Sequence, residues 1–98
     1  MSEKAFRDLD PVLHVQQRLG VVSILVSVEE ADFVYIRKAM GMTAGNLSSH
    51  LDKLCAAGYV EVVKTIEGKR PRSICRLTPD GLVAFENYVE SLRAYLKI

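Results

Sequence analysis

The sequence contains no apolar run that is long enough to cross a membrane. Its longest run, from Leu19 to Val28, has ten residues and includes Ser23, whereas a spanning helix needs roughly 18 or more. The first residues, MSEKAFRDLD, alternate charges and lack the apolar stretch of a secretory signal. These two absences predict a cytoplasmic protein that has no membrane partner.

Cysteine and histidine are scarce, with two residues of each. Cys55 and Cys75 lie twenty positions apart, form no CxxC pair and have no histidine at zinc-ligand spacing. We therefore expect both cysteines to be small buried hydrophobic residues, and a metal or redox role is the less favoured alternative. No metal site and no cofactor are predicted.

The sequence also lacks the local patterns that mark common catalytic sites. It has no glycine-rich phosphate loop and no paired carboxylates or Ser-His-Asp set that spacing supports, and His14 and His50 are far apart. These absences argue against an enzyme.

What the chain does contain is the composition of one small globular domain, and the elements predicted below make its fold class α+β and mostly helical. Of its 98 residues, 49% are hydrophobic and 26% are charged, whereas disordered chains have fewer apolar residues and a larger net charge. The net charge is only +1, but residues 43–76 carry six Lys or Arg against three Asp or Glu, and each flanking block sums to −1. Positive charge is therefore concentrated where an anionic partner could bind.

Capping signals and periodicity predict the elements before residue 43. Asp10 and Pro11 are a start signal for a mostly apolar helix from about Val12 to Ser27. The segment EEADF predicts a short edge strand, and VYIRKAMG predicts a brief helix that ends at Gly41.

The clearest helix runs over about residues 43–57, with Thr43 as its cap and Gly58 as its end. Its apolar side is formed by residues at helical spacing, namely Leu47, Leu51, Leu54 and Cys55. Asn46, Ser49, His50 and Lys53 cluster about a third of a turn away from that side.

This polar side predicts a DNA-recognition helix. Its short hydrogen-bonding side chains and its cation suit base edges and phosphates, and the small residues 43–45 allow the backbone to approach DNA closely. An ordinary solvated helix face is the alternative, although Ser and Asn are mediocre helix formers. For His50, three roles stay open: a phosphate contact, a local cap or a half-buried side chain.

The strand formers YVEVVKTI and SICRLT flank EGKRPR and predict a two-stranded hairpin over about residues 59–78. Alternation along both strands is too irregular to assign their faces. We place Gly68 and Pro71 in the hairpin tip and expect the proline to stiffen a basic loop that docks on a DNA backbone or minor groove. A solvated charged turn is the alternative.

Thr78 and Pro79 begin a last helix over about residues 79–97. It carries two apolar stripes, of which one is more than a small monomer can bury, so we predict a dimerisation helix; a helix sunk in its own core is the alternative. The candidate interface residues are Phe6, Leu9, Leu13, Leu82, Phe85, Tyr88, Val89, Leu92, Tyr95 and Leu96.

The stretch TAGNLSSHLDKLCAAGYVEVVKTIEGKRPRSICRLTPDG resembles the winged helix-turn-helix DNA-binding domain of small prokaryotic transcriptional regulators, a group similar to the ArsR and MarR families. The likeness extends to LDPVLHVQQRLGVVSIL and so covers nearly the whole chain, as one domain over residues 1–98. It implies a homodimer that binds an inverted repeat, with Ala44, Asn46, Ser49 and Lys53 near bases or phosphates and Lys69, Arg70 and Arg72 in the wing. VYIRKAMG has no Cys or His and the last helix has no His, so the metal-sensing branch is not expected.

The sequence thus predicts a transcriptional regulator that binds double-stranded DNA, with no identifiable effector. A winged helix used only for protein–protein interaction is the alternative. The candidate DNA contacts are Thr43, Ala44, Gly45, Asn46, Ser49, His50, Lys53, Lys64, Lys69, Arg70 and Arg72.

Overall fold

The computed structural model describes residues 6–98, which form four helices and one three-stranded antiparallel sheet. In chain order the elements are α1 (Gln16–Ser27), β1 (Ala31–Asp32), α2 (Phe33–Met40), α3 (Ala44–Ala56), β2 (Val60–Glu67), β3 (Arg70–Leu77) and α4 (Pro79–Leu96). The strand order in the sheet is β1-β3-β2. The predicted winged helix-turn-helix is confirmed: α2 and α3 form the helix-turn-helix, and the β2–β3 hairpin is the wing.

Side-chain oxygens begin three of these helices. Asp32 Oδ1 accepts from Val34 N at 2.7 Å at the start of α2, and Thr43 Oγ1 accepts from Asn46 N at 3.1 Å at the start of α3. Thr78 Oγ1 accepts from Gly81 N at 2.9 Å in α4. Each bond satisfies an amide that has no partner inside its helix, and the caps predicted at Thr43 and Thr78 are confirmed.

The first helix is shorter than predicted. Asp10 does cap a turn, because its Oδ1 accepts from Val12 N at 2.8 Å, but this turn is separate from α1. Val15 then adopts an extended conformation, with φ −138° and ψ 124°, and α1 begins only at Gln16. The predicted start at Val12 was wrong because the cap serves one turn that the chain does not continue.

The core lies between α1, α2, α3 and the base of the sheet. Leu47 and Leu54 are fully buried and Leu51 is 4% exposed, so the predicted leucine side of α3 faces this core. It packs with a group of buried side chains from the other elements, namely Leu13, Val21, Val22, Leu25, Ala31, Ile36, Met42, Val60, Cys75 and Tyr88.

The two cysteines differ in exposure, and the predicted burial of Cys55 was wrong. Cys75 is buried on β3, whereas Cys55 is exposed and lines an open cleft of about 390 Å³ between α3 and the wing. Burial raises the pKa of the Cys75 thiol to about 11. Partial burial of its sulfur, followed by the nearby Asp52 charge, also raises the pKa of Cys55, so both thiols are protonated at neutral pH.

The wing has a shorter turn than predicted. Both strands continue to the pair Glu67–Arg70, so the turn consists of Gly68, at φ 64°, and Lys69. Pro71 therefore lies in β3 and not in the loop. It is tolerated there because β1 pairs only with Ile74 and Cys75, which leaves β3 with no second neighbour at Pro71.

Helix α4 packs on the rest of the chain over only part of its surface. Its buried residues are Gly81 and Tyr88. A side chain at position 81 would lie within 2.9 Å of the Tyr59 backbone, so glycine lets α4 start close to the wing base. Tyr88 is 4% exposed and Leu13 is fully buried, so both have no surface for a second copy and their assignment to a dimer interface was wrong.

Within residues 6–98, no helix combines the length and the apolar character that crossing a bilayer requires.

Candidate nucleic-acid interface

The side of α3 that faces away from the core is polar and accessible. The exposed residues at its start and along this side are Thr43, Ala44, Gly45, Asn46, Ser49 and Lys53. The nearest acidic residue, Asp52, lines the cleft toward the wing and not this side. Hydrogen-bonding groups and one cation are therefore presented without an opposing carboxylate.

His50 is the exception on this side because it is half-buried. Its Nδ1 lies 3.3 Å from Arg18 Nη1. Burial, followed by the Arg18 and Lys53 charges, holds the pKa of His50 below its usual 6.5, so the ring is neutral at pH 7. Of the three predicted roles, the structure matches the half-buried one.

Arg18 is the buried cation that positions His50. Its side chain is held by main-chain carbonyls of the N-terminal turn, with Nε donating to Val12 O at 2.6 Å and Nη2 donating to Pro11 O at 3.5 Å. Arg18 therefore links that turn to α3. The sequence did not single out Arg18, because nothing within α1 distinguishes it from a surface arginine.

Three wing cations are exposed and have no ion pair within residues 6–98. They are Lys64 on β2, Lys69 in the turn and Arg70 at the start of β3. Because no carboxylate neutralises these charges, their fields are available to an anionic partner.

Arg72 differs from these three because two carboxylates hold it. Its Nε donates to Asp32 Oδ2 at 2.7 Å, and its Nη1 contacts Glu67 Oε2. The hydrogen bonds that Arg72 donates to the carboxylates of Asp32 and Glu67 raise its pKa. The structure therefore assigns Arg72 first to an intramolecular network and not to the free cationic surface that the sequence predicted.

The wing base carries a second paired arginine. Arg76 Nε donates to Glu30 Oε2 at 2.9 Å, and its Nη1 lies 3.8 Å from Glu61 Oε1. The unpaired cations of the wing are thus found toward its tip and along β2.

One cleft joins the two parts of the candidate interface. Ser48, Asp52 and Cys55 of α3 form one side, and Lys64 and Ser73 of the wing form the other. Lys64 therefore lies across a gap from α3, and α3 and the wing present their polar groups next to each other. Within residues 6–98, no three His, Cys, Asp or Glu side chains group as a metal site would require.

Comparison with known proteins agrees with this geometry. Residues 17–96 match a family described as the winged helix DNA-binding domain. An uncharacterized protein of Methanocaldococcus jannaschii is 36% identical over 72 residues, which are 74% of this chain and 78% of that protein.

Two solved structures are similar along most of their length. The transcriptional regulator homologue protein from Pyrococcus horikoshii OT3 superposes with a TM-score of 0.83 and 32% identity over 88% of this chain and 85% of that one. The homodimeric winged helix-turn-helix DNA-binding domain of a possible ArsR-family regulator from Mycobacterium bovis gives a TM-score of 0.71 and 25% identity over 88% and 76%. MarR-family regulators share the same fold.

The exposed polar side of α3, the adjacent cationic wing and the family match over residues 17–96 therefore lead to one conclusion. The chain belongs to the winged helix DNA-binding domain family, it is a DNA-binding domain of the transcriptional-regulator type, and it is not an enzyme.

Proposed function

We propose that the protein is a sequence-specific regulator that binds double-stranded DNA as a homodimer. In this proposal α3 enters the major groove, and the wing contacts the backbone or the minor groove. The observation that carries the proposal is the outward side of α3, where Asn46, Ser49 and Lys53 are exposed with no carboxylate among them.

Each of these side chains has a role that its chemistry supports. The Asn46 amide has a donor and an acceptor that match adenine in the major groove. Ser49 can donate or accept at several base edges, and Lys53 supplies a charge for phosphate or guanine. At the start of α3, the small residues Ala44 and Gly45 leave the helix amides open to a phosphate.

The homodimer is supported by one side of α4. Leu82 is 41% exposed and Leu96 is 56% exposed, and between them lie the half-buried Phe85, Val89 and Leu92. These positions follow three- and four-residue spacing and form a stripe about 21 Å long at 1.5 Å per residue. A second α4 that packs against this stripe would remove it from water.

The N-terminal segment extends this surface. The rings of Phe6 and Tyr95 are 4.8 Å apart, both residues are 43% exposed, and Tyr95 Oη donates to Arg7 O at 2.7 Å. Leu9 is half-buried and packs against the core. The Mycobacterium bovis relative is homodimeric, which is consistent with a twofold particle here.

Twofold symmetry would supply the affinity that one domain lacks. Two copies of α3 about 34 Å apart would reach successive major grooves on one face of DNA, and such a dimer would favour an inverted repeat. They also double the number of phosphate contacts, so a modest positive charge per copy is sufficient.

The test is gel retardation of duplex DNA over a range of salt concentrations. The proposal requires binding that weakens steeply as salt rises, because bound cations displace counterions from phosphate, together with tighter binding to fragments selected from the source genome than to random fragments. Absent or salt-insensitive binding would instead favour the use of this fold for protein–protein interaction. A cytoplasmic location stays a prediction.

A further inference from the structure

The tip of the wing carries an apolar pair beside its cations. Ile66 of β2 lies directly opposite Pro71 of β3, and both are exposed. Ile66 is 78% exposed, more than the other large hydrophobic side chains of residues 6–98 except Ile98 at the chain end. A single exposed isoleucine is ordinary, so its neighbours decide whether it has a role.

Those neighbours are the unpaired cations of the wing. Lys69 occupies the turn and Arg70 is the first residue of β3, and Lys64 precedes Ile66 by two positions on the same face of β2. An apolar pair of side chains flanked by free positive charges suits a ligand that is anionic at its edges and apolar between them. The minor groove of DNA has this character, with phosphates along both edges and sugars and stacked bases between them.

We propose that Ile66, supported by Pro71, enters the minor groove and packs against the sugars or a base step, while Lys69 and Arg70 hold the flanking phosphates. The proposal rests on the proposed function. It adds a residue whose contact with DNA depends on how easily a base step deforms. Apolar wedges of this kind unstack base steps and bend the duplex, and flexible pyrimidine–purine steps yield at the lowest cost. Ile66 would therefore favour such steps without any hydrogen bond to a base.

The wing is built to hold a wedge in place. Its turn has only two residues, Gly68 and Lys69, and Arg72 ties β3 to Asp32 through a 2.7 Å hydrogen bond. A hairpin anchored in this way loses little conformational entropy when it docks. The apolar contact therefore contributes to affinity instead of being offset by ordering of a loop.

The test compares two replacements of Ile66 that are isosteric with each other, and it adds a control on the same strand. Ile66→Val and Ile66→Thr both keep a β-branched strand former, but only the threonine presents a hydroxyl to the groove. Val63→Thr makes the change that separates these two variants, a methyl group for a hydroxyl, on the other face of β2, where Val63 is 38% exposed. Affinity, salt slope and bend angle are measured on a duplex of about 30 base pairs, or three helical turns, enriched by binding from random-sequence DNA.

We expect Ile66→Thr to weaken binding about tenfold, Ile66→Val to stay within about threefold of wild type, and Val63→Thr to have no effect. The salt slope of Ile66→Thr should equal that of wild type because no charge is lost, and its bend angle should fall. If Ile66→Thr binds DNA with the affinity of wild type, the wedge role of Ile66 is overturned and the proposed function is left intact. If Ile66→Thr changes the mass of the assembly but not the affinity for DNA, Ile66 contacts protein and the wedge role is overturned. No salt-dependent binding by wild type overturns the proposed function itself.

Discussion

One carboxylate, that of Asp32, holds both the start of α2 and the wing. Asp32 Oδ2 accepts from Arg72 Nε at 2.7 Å, and its Oδ1 accepts from Val34 N at the same distance. The hydrogen bond from Arg72 holds the pKa of Asp32 below its usual 3.8, so the pair is charged at neutral pH. The Asp32–Arg72 pair therefore joins the start of α2 to the wing across forty positions of the chain.

Asp32→Asn tests whether this contact positions the wing. Asparagine caps a helix as well as aspartate does, so α2 keeps its first bond while Arg72 loses its main charged partner. We expect binding to DNA to weaken by up to about fivefold, the range that a surface ion pair can supply. Arg72→Ala should have a similar effect, and the double variant should be no weaker than either single one, which retardation assays can measure.

A direct contact between Arg72 and phosphate would change the DNA affinity of Asp32→Asn in the opposite direction. If Arg72 bound phosphate directly, as the sequence suggested, Asp32→Asn would release its guanidinium and tighten binding. Tighter binding by Asp32→Asn, together with a salt slope reduced by about one in Arg72→Ala, would contradict the positioning role.

Loss of a cation and loss of a base contact should have different effects on DNA binding. Lys53→Ala and Arg70→Ala should each weaken binding to all sequences and lower the salt slope by about one, whereas Asn46→Ala should chiefly relax base preference. Lys97→Ala is the matched control, because it removes an exposed lysine at the far end of α4. Equal affinity and equal selectivity of wild type and the three interface variants would remove the site assignment.

Local signals in the sequence were enough to predict most of the fold. Thr43 and Thr78 act locally because each accepts from an amide of its own first turn, and Gly41 does so because its amide donates to carbonyls of the last turn of α2. The leucine repeat of α3 likewise depends only on helical period. For these reasons the helix-turn-helix, the hairpin and α4 were predictable from spacing.

The errors concern contacts between distant segments. Arg72 looked like a free cation because its partner Asp32 lies in another element, and Cys55 looked buried because the cleft under the wing cannot be deduced from the period of α3. Tyr88 was placed in an interface because an apolar stripe does not reveal which neighbour covers it. Here the His14 ring meets Tyr88 Oη at 2.9 Å, inside one chain.

The stripe on α4 should determine the assembly state. Leu82→Gln and Leu96→Gln replace exposed apolar side chains with a good helix former, so we expect each to shift a dimer toward monomer in light scattering at micromolar concentration. Val83→Gln is the control, because Val83 is also 56% exposed but lies about 100° around the helix from Leu82. A monomeric wild type, or an equal effect of Val83→Gln, would contradict the α4 interface.

His50 should make the fold sensitive to mild acid. Its pKa is lower in the folded chain than the usual 6.5, because the ring is partly buried and faces Arg18 and Lys53. As the pH falls through about 6.5, the unfolded chain binds a proton at this position before the folded chain does, so the free energy of unfolding decreases. The decrease ends below the pKa of the folded state, where both forms are protonated.

Urea unfolding at about pH 7.5 and about pH 5.5 measures this loss. Glutamine cannot be protonated, so His50→Gln should lose less stability than wild type over this interval. Asp32 does not interfere, because its lowered pKa makes its contribution disappear only below about pH 3.8. An equal loss in wild type and His50→Gln would mean that the acid sensitivity arises elsewhere, and the Arg18–His50 contact would then have no part in it.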